Sequence, residues 1–291
     1  MSELPNVGFK KDTEHTLEFE IIPLSQLFRQ TFSDHDPLKS HRLNFYAIIL
    51  VTDGQAGTHY IDFNTYAYQK GSLVFIAKEQ VHAFSSLQNN DGYLVLFTED
   101  FLTKSVAHED AIFLQQLFNY QIYHPVVPLT TGQFGEFETI VDIAHQERGR
   151  ARDFASERIL RSYLNLLLLK AQRLRTAHTN YFDSAYYPEF IHFQQLLRKD
   201  IFRSRRVSYY AEQLNMSTKK LNMITQEMAN LPVKTYITSS LILEVKRILA
   251  NSSVTVNEVG YEAGFDEPTN FVKFVKKHTR MTPAELRKTL R

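Results

Sequence analysis

The 291-residue sequence predicts an α+β chain of two unlike domains. The first is a β-barrel with following helices. The second is all-α, with two helix-turn-helix units joined by a long helix. Three observations carry this reading. Short runs rich in Val, Ile, Tyr and Phe, divided by turn residues, recur up to Leu129. After Thr131 the apolar period becomes helical. From Phe190 onward, helix starts and stops are marked by caps at repeated offsets.

The strands expected in the first domain are Phe45–Thr52, Thr58–Phe63, Ser72–Ile76 and Tyr93–Thr98. Asp53-Gly54, Lys70-Gly71 and Asn89-Asn90-Asp91-Gly92 separate them as turns. Phe134, Phe137, Ile140, Val141 and Ala144 then recur at three- and four-residue steps, which predicts a helix. A longer helix is expected over Ser156–Arg175. Leu160, Tyr163 or Leu164, Leu167, Ala171 and Leu174 form one apolar face, and Leu166, Leu168 and Leu169 widen it. So wide a face suits a helix packed on two sides, either within its own core or against a second copy. Thr176–Pro188 lacks an apolar period and reads as a linker. The expected boundaries are therefore 1–175, 176–188 and 189–291.

Composition limits the function. At 43% apolar residues the chain reads as globular. No apolar run approaches the roughly 20 residues that cross a bilayer, so no membrane partner is expected. Residues 1–6, Met-Ser-Glu-Leu-Pro-Asn, show no basic cap before an apolar stretch, so no signal peptide is expected. There is no cysteine, which excludes disulfides, thiolate metal sites and cysteine nucleophiles, and suits a cytoplasmic location. The net charge of +1 conceals an asymmetry. Residues 190–291 carry 17 Lys+Arg against 9 Asp+Glu, a balance of +8, and the remainder is at −7. A basic C-terminal third fits a polyanionic partner.

The C-terminal motifs sharpen this. A short helix over Val207–Leu214 is followed by Asn215-Met216 and then Ser217, whose hydroxyl can cap the next helix. In that helix Leu221, Ile224 and Met228 share one face. Lys219, Lys220, Asn222, Met223 and Gln226 point away from it. The arrangement repeats. Thr255-x-x-Glu258 is a capping box, Gly264-Phe265-Asp266 a turn, and Pro268 opens a second such helix. Phe271, Phe274, Val275 and His278 make its expected inner face, and Thr269, Asn270, Lys273, Lys276 and Lys277 its outer one. Ala211 and Gly260 occupy matching places where a close helix crossing needs small residues. Thr282-Pro283-Ala284-Glu285 opens a last short helix. Between the units, Val233 to about Asn251 forms a helix about 30 Å long, close to one DNA turn of about 34 Å. Both outer faces, with the Ser217 cap, are the candidate surface for double-stranded DNA.

Several of these segments resemble the signature of the AraC/XylS transcription regulators. They are Gly264-Phe265, Phe271, Lys273-Phe274-Val275-Lys276-Lys277 and Thr282-Pro283-Ala284-Glu285-Leu286-Arg287. Leu241–Leu249 is similar to that family's connecting helix. The resemblance implies a dimeric bacterial regulator, not an enzyme, with RNA polymerase as a candidate further partner. Departures are Ser240 and Met223 where Arg is frequent, and Asn230 and Arg280 where Gly is frequent. With no Arg reader at Met223, more of the specificity is expected from the second unit or from phosphate contacts.

The N-terminal part resembles the family's cupin-like arm, through His41–Tyr46, the Gly54 and Gly57 hairpin, Lys70–Leu73 and Gln80-Val81-His82. The resemblance implies a small-molecule effector in the barrel, with His41, Arg42, Tyr46, His59, Tyr60 and His82 as candidate contacts. Arg42 is either a partner for a carboxylate or a solvated side chain. Enzymatic cupins hold a metal by several histidines and a carboxylate. Here Leu43 and Ala47 fall where ligands are needed, so neither metal nor cofactor is expected. Two other readings stay open at this point. One is a cupin enzyme carrying an accessory nucleic-acid domain. The other is an effector-free regulator whose barrel is filled by its own side chains.

Overall fold

The computed structural model describes residues 5–9, 17–29, 36–84, 90–103, 114, 117–120, 123–176, 184–250 and 255–290. The described residues divide into two units, one up to residue 176 and one from residue 184 onward. Most of the expected linker, residues 177–183, lies outside the described residues, as do Asn89 and Asn251.

Among the described residues of the first unit, ten strands form two five-stranded sheets. One runs β1 (Asn6–Val7), β3 (His41–Leu43), β8 (Val81–Phe84), β5 (Gly57–Ile61), β6 (Asn64–Tyr68). The other runs β10 (Val126–Pro128), β7 (Ser72–Ile76), β4 (Tyr46–Asp53), β9 (Asp91–Phe97), β2 (Phe19–Pro23). The expected closed barrel is thus two facing sheets, with no ladder joining them among the described residues. β6 and β10 lie side by side without pairing. β10 ends in Pro128, which has no amide to donate to a further ladder.

The second sheet is buried on both faces. Ala47, Ile49, Val51, Val74, Ile76, Leu94 and Leu96 face the first sheet and meet Leu43, Ile61, Tyr68 and Phe84. Tyr46, Ile48, Leu50, Leu73, Phe75, Val95 and Phe97 face the other way, onto helices. This explains why β4 and β7 read as unbroken apolar runs rather than alternating ones. The covering helices are α2 (Glu99–Thr103), α3 (Thr131–Arg148) and α4 (Ser156–Thr176). A further short helix, α1 (Leu24–Leu27), buries Leu24 and Leu27. Helix α3 opens on a capping box between Thr130 and Gln133. At the far end of α4, Arg175 is buried with its guanidinium 4.0 Å from the Phe75 ring centre, donating to the Leu117 carbonyl. Burial lowers its pKa to about 9.

The expected strand Thr58–Phe63 ends early. Asp62 and Phe63 both have positive φ and turn the chain into β6, which sequence reading did not anticipate. A Phe at φ 70 is no recognised turn signal. The turn is held from outside instead. Asp62 accepts from the Val81 amide and from the Gln80 side chain, and Gln80 accepts from the Ala77 amide.

The second unit is helical: α5 (Tyr187–Asp200), α6 (Val207–Gln213), α7 (Thr218–Ala229), α8 (Val233–Ala250), α9 (Val256–Glu262), α10 (Pro268–Thr279) and α11 (Pro283–Thr289). Helix α5 begins at Tyr187, inside the segment expected to be linker, with Pro188 in its first turn. Helix α8 packs against α7 on one side and against α9 and α11 on the other. Its buried Tyr236, Ile237, Leu241, Val245 and Leu249 form the spine of the unit.

Candidate nucleic-acid interface and buried histidine row

Each helix-turn-helix unit is positioned by local chemistry. Helix α7 is capped by Ser217, whose hydroxyl accepts from the Lys220 amide. Leu221, Ile224 and Met228 are fully buried, which fixes the rotation of the helix. Thr255 with Glu258, and Thr282 with Glu285, form complete capping boxes on α9 and α11. Helix α10 starts on Pro268 and buries Phe271 and Val275. A Cβ added to Gly260 would sit 3.2 Å from the Phe271 side chain, so the two helices of this unit cross closely there. His278, expected on the inner face, is exposed; its ring rests 4.8 Å from that of half-buried Phe274.

All eleven side chains singled out on the two outer faces are solvent-exposed: Ser217, Lys219, Lys220, Asn222, Met223, Gln226, Thr269, Asn270, Lys273, Lys276 and Lys277. They are not equally available. Lys220 pairs with Glu189 at 3.0 Å. The Asn222 side-chain oxygen accepts from the Val233 amide at 3.1 Å, so it serves the first turn of α8. Gln226 donates to Asn230. On α10, Thr269 donates to Glu267, whereas Asn270, Lys273, Lys276 and Lys277 have no side-chain hydrogen bond or ion pair among the described residues. This side-chain capping of α8 by Asn222 was not legible in the sequence, because the two residues are eleven positions apart.

In the first unit, β3, β8 and β5 are neighbours in one sheet. His41 is directly opposite His82, and His82 is opposite Ile61. Strand alternation therefore sets His41, His82 and His59 on the same interior face as Leu43, Phe84 and Ile61. All three imidazoles are buried. His59 Nε2 and His82 Nδ1 share a hydrogen bond of 3.1 Å, and the His41 and His82 ring centres are 4.2 Å apart. His41 Nδ1 donates to the Lys39 carbonyl at 2.9 Å. Burial, with the nearby His41, lowers the His59 pKa to about 3.

This depression ties the row to stability. Above the ordinary histidine value of 6.5 the ring is neutral whether the chain is folded or not. Below it the unfolded chain takes up a proton that the folded chain refuses until about pH 3. Stability is therefore lost as pH falls through that window, by up to ~1.4 kcal/mol per pH unit.

The other expected effector contacts are elsewhere. Tyr46 faces the helical layer, stacks on Phe97 and meets the Phe118 ring at a tilt. Arg42 is partly buried and pairs with Glu79 at 3.5 Å, so its partner here is a carboxylate of the protein itself. Tyr60 is half-buried on the face of β5 opposite His59, near Phe63. His59 thus completes a three-histidine row that the spacing around His41 did not suggest. The rings do not converge as a metal site among the described residues.

Comparison with known families separates the same two parts. Residues 23–125 match the family described as AraC-like ligand binding domain, and residues 210–289 match a helix-turn-helix domain. Together the matches cover 183 residues, more than half of the chain. The chain belongs to the AraC family of transcription regulators. The HTH-type transcriptional activator RhaR of Enterobacter sp. (strain 638) is 23% identical over 249 residues, spanning 85% of this chain and 86% of that protein. RhaR of Salmonella schwarzengrund is 19% identical over 253 residues, 87% and 88% of the two lengths. A solved structure of ToxT from Vibrio cholerae aligns over 94% of this chain and 98% of that one, at 13% identity and a TM-score of 0.45.

As an AraC-family protein the chain is a DNA-binding regulator with an N-terminal ligand-binding domain. Its DNA-binding part is the exposed, cationic portion of the molecule. Its ligand-binding part encloses an apolar interior in which the histidine row is the concentration of polar atoms. No helix among the described residues is long and apolar enough to cross a membrane.

Proposed function

We propose that this chain is a cytoplasmic, dimeric regulator without catalytic activity, which reads two successive segments on one face of duplex DNA with α7 and α10. The observation that carries the reading is the duplication itself. Two twelve-residue helices, one opened by the Ser217 cap and the other by Pro268, each bury one apolar face and present an exposed polar face at either end of the same helix α8. A helix of 18 residues is about 27 Å long, which suits major-groove segments about 34 Å apart. Selection of bound duplexes from a random pool by the full-length protein tests it. Enrichment of two segments about one helical turn apart is the expected result. Enrichment of a single short segment removes α7 or α10 from the reading.

The effector enters at the histidine row in this reading. Imidazoles buried among apolar side chains suit a ligand that is largely apolar and carries one hydrogen-bonding group. The space between the sheets is filled by Leu43, Phe84 and Ile76, so entry requires side chains to move. That packing also favours the effector-free alternative. A screen of small acids and alcohols by thermal shift, on the wild type and on His59→Phe, separates the two. A shift lost in the variant supports an effector at the row. No shift from any compound supports control by a partner protein, with RNA polymerase as the first to test.

Dimerisation is assigned to the outer side of the α3–α4 pair. Leu166 and Leu169 on α4 and Ile143 on α3 are exposed at 43%, 56% and 41%. The opposite side of α4 is already buried in the core, so these leucines are surplus to it. Leu166→Glu with Leu169→Glu is expected to give monomers in sedimentation. A dimer that survives the pair sends the interface elsewhere.

A further inference from the structure

We infer that the segment Ile201–Arg206, between α5 and α6, is a second mount that fixes the spacing of the two recognition helices, with Arg205 as its positioning residue. The inference rests on the bipartite reading of DNA above. Helix α8 alone is one connection between the two helix-turn-helix units, and a single helix can hinge at its ends. The structure provides a second connection, distant from α8 in sequence.

The chain leaves α5 at Asp200 and buries Ile201. The Phe202 carbonyl then seats on Gly264, in the turn of the second unit. A Cβ on Gly264 would lie 1.9 Å from that oxygen, and Gly264 has φ +75. Glycine is required there twice over, for the close approach and for the left-handed backbone. Next to it, the Arg205 guanidinium lies 3.9 Å over the Phe265 ring, and one of its N–H groups reaches the Gly264 carbonyl at 3.5 Å. Asp266 adds an opposite charge beside it.

Both ends of this contact are tied to recognition helices. Phe265 packs on Phe271 and Phe274 of α10, with ring centres 5.4 and 5.2 Å away. On the other side the Ser204 carbonyl accepts from the Tyr210 hydroxyl of α6, and α6 packs on α7. A continuous packed path therefore runs from α10 through Phe265, Arg205 and Ser204 to α6 and α7. With α8 it closes a loop of two connections, which resists bending that one would permit. Arg205 is on neither recognition face, and its planar head is already engaged on Phe265. Lysine cannot reproduce that stacking.

The test uses duplexes selected by the wild-type full-length protein, and the same duplexes with one base pair inserted between the two segments. For the wild type the insertion is expected to weaken binding about a hundredfold, as one segment is no longer read. For Arg205→Ala and Arg205→Lys alike, the penalty is expected to shrink below about tenfold, because a freely hinged pair of units follows the shifted segment. Variants that keep the full penalty overturn the inference and leave the bipartite reading intact. A phosphate-binding role for Arg205 has its own signature: the salt slope drops by about 0.9 in Arg205→Ala, lysine restores it, and the spacing penalty is unmoved. That result also overturns the inference. A wild type indifferent to the insertion overturns the bipartite reading, and the mount with it.

Discussion

Helices α7 and α10 are built to one plan and differ in what their outer faces are free to do. Each is twelve residues long, packs one apolar face, and ends on a residue in the left-handed conformation, Asn230 or Arg280. On α7 three of the polar side chains are committed within the protein, Lys220 to Glu189, Asn222 to the α8 amide of Val233 and Gln226 to Asn230, and Lys219 is the cation left over. On α10 Asn270, Lys273, Lys276 and Lys277 have no side-chain hydrogen bond or ion pair among the described residues, and Lys276 feels the Glu285 charge only at longer range. The difference teaches that a repeated fold does not imply repeated recognition. Helix placement comes from the buried face, and chemistry from whatever the neighbours leave over. Met223 stands, exposed, at a position the family frequently fills with Arg, and this points the same way.

The comparison can be broken most sharply at the lysines. Lys273→Ala with Lys276→Ala and Lys277→Ala is expected to lower the salt slope of binding by about 2.7, at about 0.9 for each phosphate left unneutralised. Lys219→Ala is expected to lower it by about 0.9 at most. Fluorescence titration across a salt series measures both, and equal slopes per lysine in the two helices would show their cationic faces to be equivalent. Lys220 is a poor discriminator, because an exposed pair such as Lys220–Glu189 holds only about 0–1 kcal/mol and DNA can compete for it.

Base readout sharpens the contrast. Asn270→Ala with Lys273→Ala is expected to cost about 1–3 kcal/mol of discrimination for each base edge no longer read. Asn222→Ala with Met223→Ala is expected to leave discrimination nearly unchanged and to destabilise the fold by about 1 kcal/mol, since the Val233 amide loses its partner. Competition titrations and denaturant melts separate the two quantities. Equal loss of discrimination from both pairs would remove the asymmetry.

The smallest expected effect lies at the helix ends. Arg280 at φ 62 and Asn230 at φ 52 both occupy backbone that glycine adopts freely. Arg280→Gly is expected to stabilise by about 1 kcal/mol, and Asn230→Gly by only a few tenths, because asparagine tolerates this region. Melts of the two variants, run in parallel, check the order. A destabilised Arg280→Gly would mean the arginine stem is packed in a way its exposure does not suggest.

Much of the C-terminal unit was legible because its signals are local. A serine or threonine three residues before a glutamate, a proline in a first turn and a period of 3.6 each act within a few residues. The capping boxes at Thr255 and Thr282 and the cap at Ser217 formed as read. In the first unit, β4 and β7 were legible because burial on both faces leaves an unbroken apolar run. The turn at Asp62-Phe63 was not, since its positive φ angles are held by Gln80 and Val81 from another strand rather than by its own residue types.

By itself, the sequence determined the two-part organisation, the caps at Ser217, Thr255 and Thr282, the buried face of α7 and the cationic character of α10. These follow from side-chain periodicity and backbone capping, whose range is a turn or two of chain. Only the tertiary structure decided that His41, His59 and His82 share one row, that Asn222 serves α8, and that Phe202 and Arg205 seat on Gly264-Phe265. Each of these joins residues from 11 to 62 positions apart. Such pairings depend on strand register and helix crossing, which arise from how whole faces pack, and no short stretch of residues encodes them.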